Sequence, residues 1–301
     1  MTAEGLDNFA YEPARSHESM AARRHYWAVA IGLQRVDGLE VSPYVQKMAA
    51  DYVNGGRTLE ETGQLVRAYH SNTARNDAHA DTREADLVAQ RIAELLAAVP
   101  FYLAPEILVK VHRYLFQDLD VTVYHPGEFK TERMVKQEDI LNGDSVLYAD
   151  PLAYDMALKG VFAAEQGKLY TTLEGDELAD FCHFLAFLWQ IHPFFEGNTR
   201  TVAVFSELYL NHLGFNVSNE PFASNARYFR DALVRAMYRN VAAGIFPDES
   251  FLVAFYENAL GRANKRLNRE DLICTALFEN PSLIRNISPD KALNKQTIRP
   301  S

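Results

Sequence analysis

The chain has 301 residues, enough for about two ordinary domains or one large one, and 48% of them are hydrophobic. Its 30 basic and 40 acidic residues give a net charge of −10, which argues against a general nucleic-acid or anionic-membrane surface but allows a local basic pocket for a nucleotide. Cys182 and Cys274 lie far apart, which excludes a disulfide scaffold or zinc site. No apolar signal core or membrane-length stretch is present, so a soluble, cytoplasmic protein is predicted.

The first 72 residues are predicted to form an N-terminal helical segment. Helical patterns cover 28–35 and 41–52, and Ser42-Pro43 suits the start of the second. Thr58 and Glu61 fit a capping box, in which each side chain satisfies the other's backbone N–H group. A third helix is therefore expected to run from this box to about residue 69. The polar stretch 71–82 is predicted to be a linker or an exposed loop.

The rest of the chain is predicted to be mainly α-helical with one small β-hairpin. Hydrophobic periodicity predicts helices over 81–98, 104–119, 152–166, 176–190, 199–213, 226–243 and 249–260. Between residues 124 and 151, Asn142-Gly143 separates two alternating stretches, 133–135 and 145–148, and this pattern predicts the hairpin. The stretch 286–301 is predicted to be disordered.

One segment between two apolar helices is crowded with groups that do chemistry. It runs His192-Pro193-Phe194-Phe195-Glu196-Gly197-Asn198-Thr199-Arg200. Pro193 stops the first helix, and Gly197 permits a tight turn. The second helix then begins, and the free N–H groups of a helix N-terminus bind anions.

Three side chains of this segment suit a magnesium-nucleotide site. Arg200 lies in the first turn of the second helix and can hold phosphate in a bidentate way. Glu196 is a carboxylate at the rim of the anion site, where Mg²⁺ would bridge carboxylate and phosphates. His192 can act as the base that takes a proton from an incoming hydroxyl.

The segment HPFFEGNTR closely resembles the signature His-Pro-Phe-x-(Asp/Glu)-Gly-Asn-x-Arg of Fic proteins, and the resemblance covers roughly residues 81–260. Fic proteins mostly transfer AMP from ATP to a hydroxyl group of a target protein. The resemblance therefore implies a protein adenylyltransferase with ATP as co-substrate and Mg²⁺ as cofactor. It implies a nucleotide and a target protein as partners, with no nucleic acid and no membrane, and it leaves a homodimer open.

The resemblance also implies a role for individual residues. His192 would deprotonate the target hydroxyl, Phe194 would anchor the loop, and Glu196 would hold Mg²⁺. The nucleotide and its phosphates would be bound by Gly197, Asn198, Thr199, Arg200 and, as a weaker candidate at the adenine, Tyr228. The hairpin would be a flap that holds the target peptide by strand pairing, with the target-binding residues Val146, Leu147, Tyr148 and Ala149.

Two positions depart from the family pattern. Thr199 stands where glycine is usual, which keeps the N–H group and adds a hydroxyl that could touch phosphate. Ala203 stands where many Fic proteins carry a second arginine, which usually engages the γ-phosphate and pairs with an inhibitory glutamate. The nucleotide donor and the usual form of self-inhibition are therefore open.

Two segments compete for the inhibitory role. The stretch 33–39 is a degenerate version of the inhibitory pattern, with Asp37 in the place of glutamate, and it lies in a segment that resembles the small antitoxin partners of some Fic proteins. The stretch 275–280 fits the pattern literally, with Glu279 as its glutamate. Alternatively, the N-terminal segment is a packed helical cap with no inhibitory role. Without an arginine at 203, Asp37 would contact Arg200 or nothing.

The predicted organisation is an N-terminal segment (1–72), a catalytic domain (81–262) and a partly disordered tail (263–301). Three functions are compatible with this organisation. The leading one is AMP transfer to a protein hydroxyl. The others are a transferase that uses another nucleotide or phosphate-containing donor, and a degenerate nucleotide-binding regulator. The intact His192, Glu196, Asn198 and Arg200 argue against the last.

Overall fold

A computed structural model describes residues 19–71, 76–98, 100–218, 220–285 and 291–292. The protein is 65% helical, which confirms the mainly α fold class. The described residues form thirteen α-helices: α1 (Met20–Gly32), α2 (Pro43–Val53), α3 (Leu59–Ser71), α4 (Asn76–Ala98), α5 (Pro105–Phe116), α6 (Val121–Tyr124), α7 (Tyr154–Gln166), α8 (Asp176–Ile191), α9 (Asn198–His212), α10 (Glu220–Ser224), α11 (Ala226–Met237), α12 (Ser250–Ala259) and α13 (Thr275–Glu279). Short 3₁₀ helices cover Leu33–Asp37, Asp139–Leu141, Pro151–Ala153, Val241–Ala243, Arg269–Leu272 and Pro281–Leu283.

The helix starts of the N-terminal segment follow the predicted capping chemistry. The Ser42 hydroxyl accepts the Val45 N–H at 3.2 Å, with Pro43 as the first helical residue of α2. At α3, the Thr58 N–H donates to the Glu61 carboxylate at 2.8 Å, and the Glu61 N–H donates back to the Thr58 hydroxyl at 3.1 Å. The predicted capping box is therefore present.

The N-terminal segment packs directly on the rest of the molecule. Helix α1 lies against α4 and α10, and it contributes Trp27, Val29 and Ala30 to a continuous hydrophobic core. The approach to α10 is so close that a Cβ built on Gly32 would lie 2.3 Å from the Cα of Ala223. The predicted division of the chain into three parts stays a prediction, because the hydrophobic core is continuous between the N-terminal segment and the rest of the molecule.

Three predicted element boundaries are wrong. The first predicted helix, 28–35, begins at Met20 instead and ends at Gly32, because the Ser19 side chain caps its start. Helix α4 begins at Asn76, inside the predicted linker 71–82, because the alanines and acidic residues there suit the first turns of a helix. Residues 72–75 lie outside the described part. Helix α11 ends at Met237 rather than near 243, because the Asn240 side chain accepts the Ala243 N–H at 3.1 Å and starts a separate turn.

The predicted β-hairpin is also wrong, although its turn is present. Asn142 and Gly143 have φ values of 52° and 87°, and the Glu138 N–H donates to the Asp144 carbonyl at 3.0 Å. The strand on the first side, β1 (Met134–Val135), instead pairs in parallel with β2 (Lys291–Ala292). Residues 145–148 form no strand, because this part of the chain bonds to the end of α8. There the Gln190 side chain donates to the Leu147 carbonyl at 3.1 Å.

The C-terminal tail is ordered as far as residue 285, where it carries α13 and two 3₁₀ helices. Apart from β2, the stretch predicted to be disordered lies outside the described residues. Among the helices of the described residues, none has the length and apolar character needed to cross a membrane.

Candidate active site

The loop that carries the motif begins where α8 ends in a left-handed residue. His192 has φ 52° and ψ 52°, and Pro193 follows, so the helix cannot continue. The Lys130 ammonium donates a hydrogen bond to the His192 carbonyl, and the Lys130 N–H donates to the Pro193 carbonyl at 2.8 Å. A buried lysine from the segment after α6 therefore fixes the backbone at the histidine and at the proline that follows it.

Asn198 closes the loop through its side chain. Its Oδ1 accepts the Phe194 N–H at 3.0 Å, and its Nδ2 donates to the Phe194 carbonyl at 2.8 Å. Phe194 is 1% exposed, as expected for the predicted anchor. The Asn198 side chain thus shapes the loop, which leaves only its backbone N–H group for the predicted anion site.

His112 on α5 supports the same loop, and the sequence reasoning missed it. Its Nδ1 accepts the Gly127 N–H at 2.9 Å, so the ring proton lies on Nε2, which donates to the Glu196 carbonyl at 3.0 Å. The ring also stacks on Phe194 at 3.8 Å. Burial lowers the pKa of His112 to about 3, so the ring is neutral. A single histidine on an amphipathic helix carries no sequence signal for this role.

Gly197 makes the turn into α9. Its φ is 73°, and a Cβ at this position would lie 2.0 Å from the ring of Phe116. The first N–H groups of a helix have no acceptor within it, so those of Asn198, Thr199 and Arg200 point out of the helix end. The Thr199 hydroxyl is engaged elsewhere, because it accepts the Trp189 ring N–H at 2.9 Å. The hydroxyl uses an acceptor lone pair in this bond and keeps its O–H donor, so its predicted contact with phosphate stays a prediction.

Arg200 is buried and surrounded by acceptors from two other elements. It is 1% exposed, and its guanidinium contacts Gln34 Oε1 at 3.1 Å, Glu84 Oε1 at 2.5 Å and Asp37 Oδ2 at 3.0 Å. Burial alone would lower its pKa, but the charges of Glu84 and Asp37 raise it. Asp37 therefore reaches Arg200 from the N-terminal segment, and Glu84 on α4 is a partner that the sequence reasoning missed.

Glu196, the predicted metal ligand, lies at the edge of the loop with its side chain 22% exposed. Its Oε2 lies 3.3 Å from the ammonium of Lys136, which follows β1. Among the described residues, no three histidine, cysteine or carboxylate side chains lie together as a ready metal site. A lone carboxylate matches the way Mg²⁺ is held with nucleotide phosphates and water.

The ring of His192 is enclosed but makes no hydrogen bond. The residue is 2% exposed, and within the described structure both ring nitrogens are buried without a partner. Tyr148 covers the ring, with centroids 4.0 Å apart. Burial, then the charges of Lys130, Lys136 and Arg230, holds the pKa of His192 well below its ordinary value. The imidazole is thus neutral, and a nitrogen lone pair is available to take a proton.

The remaining predicted site residues are the four flap residues, Tyr228 and Glu279. Tyr148 lies on His192, whereas Leu147 is exposed and Val146 is buried in the core. The Ala149 N–H donates to the Gln190 carbonyl at 3.4 Å. Tyr228 is largely buried, donates to the Phe251 carbonyl at 3.3 Å, and borders a cavity of about 320 Å³ beside Gly38. Glu279 is exposed at the end of α13, and no contact with the motif joins it within the described residues.

The comparisons with known proteins give one family match. No curated protein matches the chain. Residues 102–210 match the sequence profile of the Fic/DOC family, a range that runs from the start of α5 through the motif loop to α9. Residues 102–210 of the chain therefore form a Fic/DOC-family domain.

Proposed function

We propose that this Fic-family transferase moves AMP from ATP to a serine, threonine or tyrosine hydroxyl of a target protein. The observation that carries the proposal is the neutral ring of His192, buried with two unpartnered nitrogens beside the N-terminus of α9. A buried polar group without a partner is costly, which makes such a ring a reasonable place for a reacting group.

In the proposed reaction, the target hydroxyl oxygen attacks the α-phosphorus while a nitrogen of His192 takes its proton. A bond forms between that oxygen and phosphorus, the bond to the β-phosphate breaks, and pyrophosphate leaves. The N–H groups of Asn198, Thr199 and Arg200 would stabilise the charge on the phosphates. The phosphates would also oppose the effect of Lys130 and Lys136, so nucleotide binding should raise the pKa of His192 and make it a better base.

Glu196 is the residue that would hold Mg²⁺. The ion would neutralise phosphate charge in the reaction. Because Lys136 pairs with Glu196 in this structure, metal binding would require that ammonium to move away or to turn towards the phosphates.

We further propose that the N-terminal segment inhibits the enzyme through Asp37. Its carboxylate lies on the guanidinium of Arg200, the group expected to hold the β-phosphate. Asp37 ends the 3₁₀ helix Leu33–Asp37, and Gly38 follows with φ 74°, which lets the chain turn away immediately. The antitoxin-like character of the segment is part of this proposal, whereas the position of Glu279 gives no support to its inhibitory role.

A different phosphate-containing donor is the second candidate function. The observation that favours it is Ala203, which is fully buried on α9 and offers no second cation from that helix for a γ-phosphate. The chemistry at His192 would be the same, and the transferred group would differ.

The test is intact-mass spectrometry after incubation of the protein with Mg²⁺ and each of ATP, GTP, CTP and UTP. We expect self-modification by one nucleoside monophosphate with ATP in the wild type and none in His192→Ala, which should still bind the nucleotide. An adduct from another nucleotide alone would favour the second candidate. An equal adduct in His192→Ala would overturn the assignment of the base.

A further inference from the structure

The motif helix provides one arginine for phosphate binding. Ala203 lies one turn after Arg200 on α9, and its methyl group has no hydrogen-bond donor. A triphosphate concentrates several negative charges, and such groups are usually held by more than one cation. If the proposed function is right, another element should supply the missing charge.

Arg230 reaches the site from α11, outside the matched range 102–210. Its Nη2 donates to Oε2 of Glu138 at 2.7 Å, and Glu138 is 2% exposed. Glu138 also interacts with Tyr148, the residue whose ring covers His192. Glu138 therefore links Arg230 to the residue that covers the general base. Its side chain is 19% exposed, which leaves it reachable by a ligand.

The charges around Arg230 connect it to both ends of the site. Although burial opposes the change, the charges of Glu138 and Asp37 raise the pKa of Arg230. The positive charge of Arg230 in turn contributes, after burial and the two lysines, to the low pKa of His192. Asp37 is the carboxylate that lies 3.0 Å from Arg200. Asp37 thus contacts Arg200 directly, and its charge also acts on Arg230.

Arg230 also has donors to spare. A guanidinium carries five N–H donors, and among the described residues Glu138 is the acceptor that it engages. Under the ring of Tyr148, His192 presents two buried nitrogens without partners, which independently indicates a ligand at the site. An anion could therefore bind Arg230 without breaking its bond to Glu138.

We infer that Arg230 is a phosphate-binding residue of this site, supplying from α11 the second cation that α9 lacks at Ala203. In this structure the carboxylate of Asp37 lies on Arg200, the group that would hold the neighbouring phosphate. This inference rests on the proposed function, because it assigns a partner to the outer phosphates of the nucleotide donor.

The test is calorimetric titration with ATP, ADP and AMP in the presence of Mg²⁺, using Asp37→Asn as the parent so that Arg200 and Arg230 are released from that charge. Adding Arg230→Gln should weaken ATP binding by on the order of tenfold to a hundredfold and leave AMP binding unchanged. The matched control is Arg235→Gln on the same helix, whose nearest carboxylate is Asp248 at 3.9 Å, and it should change neither. A third variant adds Glu138→Gln to Arg230→Gln, so that no buried carboxylate is left unpaired.

Loss of the preference for ATP over AMP in both Arg230 variants supports the inference. Unchanged ATP binding, or equal weakening of ATP and AMP, overturns it while leaving the proposed function intact, because the parent still binds nucleotide. If the parent and the wild type bind none of the three nucleotides, the proposed function fails, and the role of Arg230 fails with it.

Discussion

His112 joins the motif loop to the segment that follows α6 through two hydrogen bonds to backbone groups. Replacing it by phenylalanine should keep the stack on Phe194 but leave the Gly127 N–H and the Glu196 carbonyl without their partner. Since each buried unpaired group costs about 1–3 kcal/mol, we expect the free energy of unfolding to fall by about 2–4 kcal/mol in urea titrations. The control is His183→Phe at the surface, which we expect to change the free energy of unfolding by less than about 0.5 kcal/mol.

The wild type and His112→Phe also test the protonation state of His112. Its pKa is about 3 in the folded protein against 6.5 in the unfolded chain, so between these pH values the unfolded chain binds a proton that the folded protein does not. Its stabilising effect is therefore fully present above pH 6.5 and is lost as the pH falls towards 3. Below about pH 6, the wild type should lose stability faster than His112→Phe, by about 1.4 kcal/mol per pH unit. Parallel slopes would show that His112 is charged or exposed.

Position 197 accepts only glycine, because any side chain there would collide with the ring of Phe116. We expect Gly197→Ala to lower the melting temperature by several degrees and to reduce nucleotide binding, since the turn into α9 must shift. Gly160→Ala is the matched control. Gly160 lies within α7, and a Cβ there meets nothing within 4 Å, so this change should stabilise the protein by about 0.5–1 kcal/mol. Equal effects of the two substitutions would contradict the assigned geometry.

At the scale of elements, the 3₁₀ helix Leu33–Asp37 brings the N-terminal segment to the motif. Asp37→Asn removes one charge from Arg200 and leaves it paired with Glu84 and Gln34, so the fold should be kept. We expect nucleotide affinity and the rate of self-modification to rise by roughly tenfold, because the phosphate no longer competes with a carboxylate.

The control for Asp37→Asn is Asp51→Asn on α2, a carboxylate of the same segment that pairs with Arg57 at the surface. Asp51→Asn should leave the nucleotide affinity and the rate of self-modification unchanged. Such point variants test inhibition more directly than removal of the whole N-terminal segment would. Deleting α1 would strip Trp27, Val29 and Ala30 from the core and confuse inhibition with unfolding. No gain in either quantity with Asp37→Asn would mean that the contact is structural.

The sequence predicted the helices on either side of the motif, but not the side chains that contact the motif from other elements. The motif lies at the junction of two apolar helices, and periodicity located both helices to within a residue or two. His112, Glu84, Lys130 and Arg230 come from other elements, and only the tertiary fold brings them to the loop. The hairpin was predicted from alternation and turn residues, which cannot tell whether a strand pairs with its neighbour or bonds to the end of a helix.

At the scale of the molecule, one hydrophobic core joins the N-terminal segment to the helices of the Fic/DOC domain. The two tryptophans report on its two parts, because Trp27 lies in α1 and Trp189 in α8, and both are almost fully buried. In the single-tryptophan variants Trp189→Phe and Trp27→Phe, we expect the remaining fluorescence to follow the same unfolding transition as the circular dichroism of that variant. A fluorescence transition of Trp27 at lower urea than the loss of helix would show a separately folding N-terminal unit.

The central claim is that His192 is the base for nucleotide transfer to a hydroxyl, at a site restrained by Asp37. The most direct measurement is intact-mass spectrometry of Asp37→Asn and of Asp37→Asn/His192→Ala after incubation with Mg²⁺-ATP. The account predicts an added AMP on the first protein, at a higher level than in the wild type, and none on the second. The absence of any adduct from Asp37→Asn, or an equal adduct on both proteins, would contradict it.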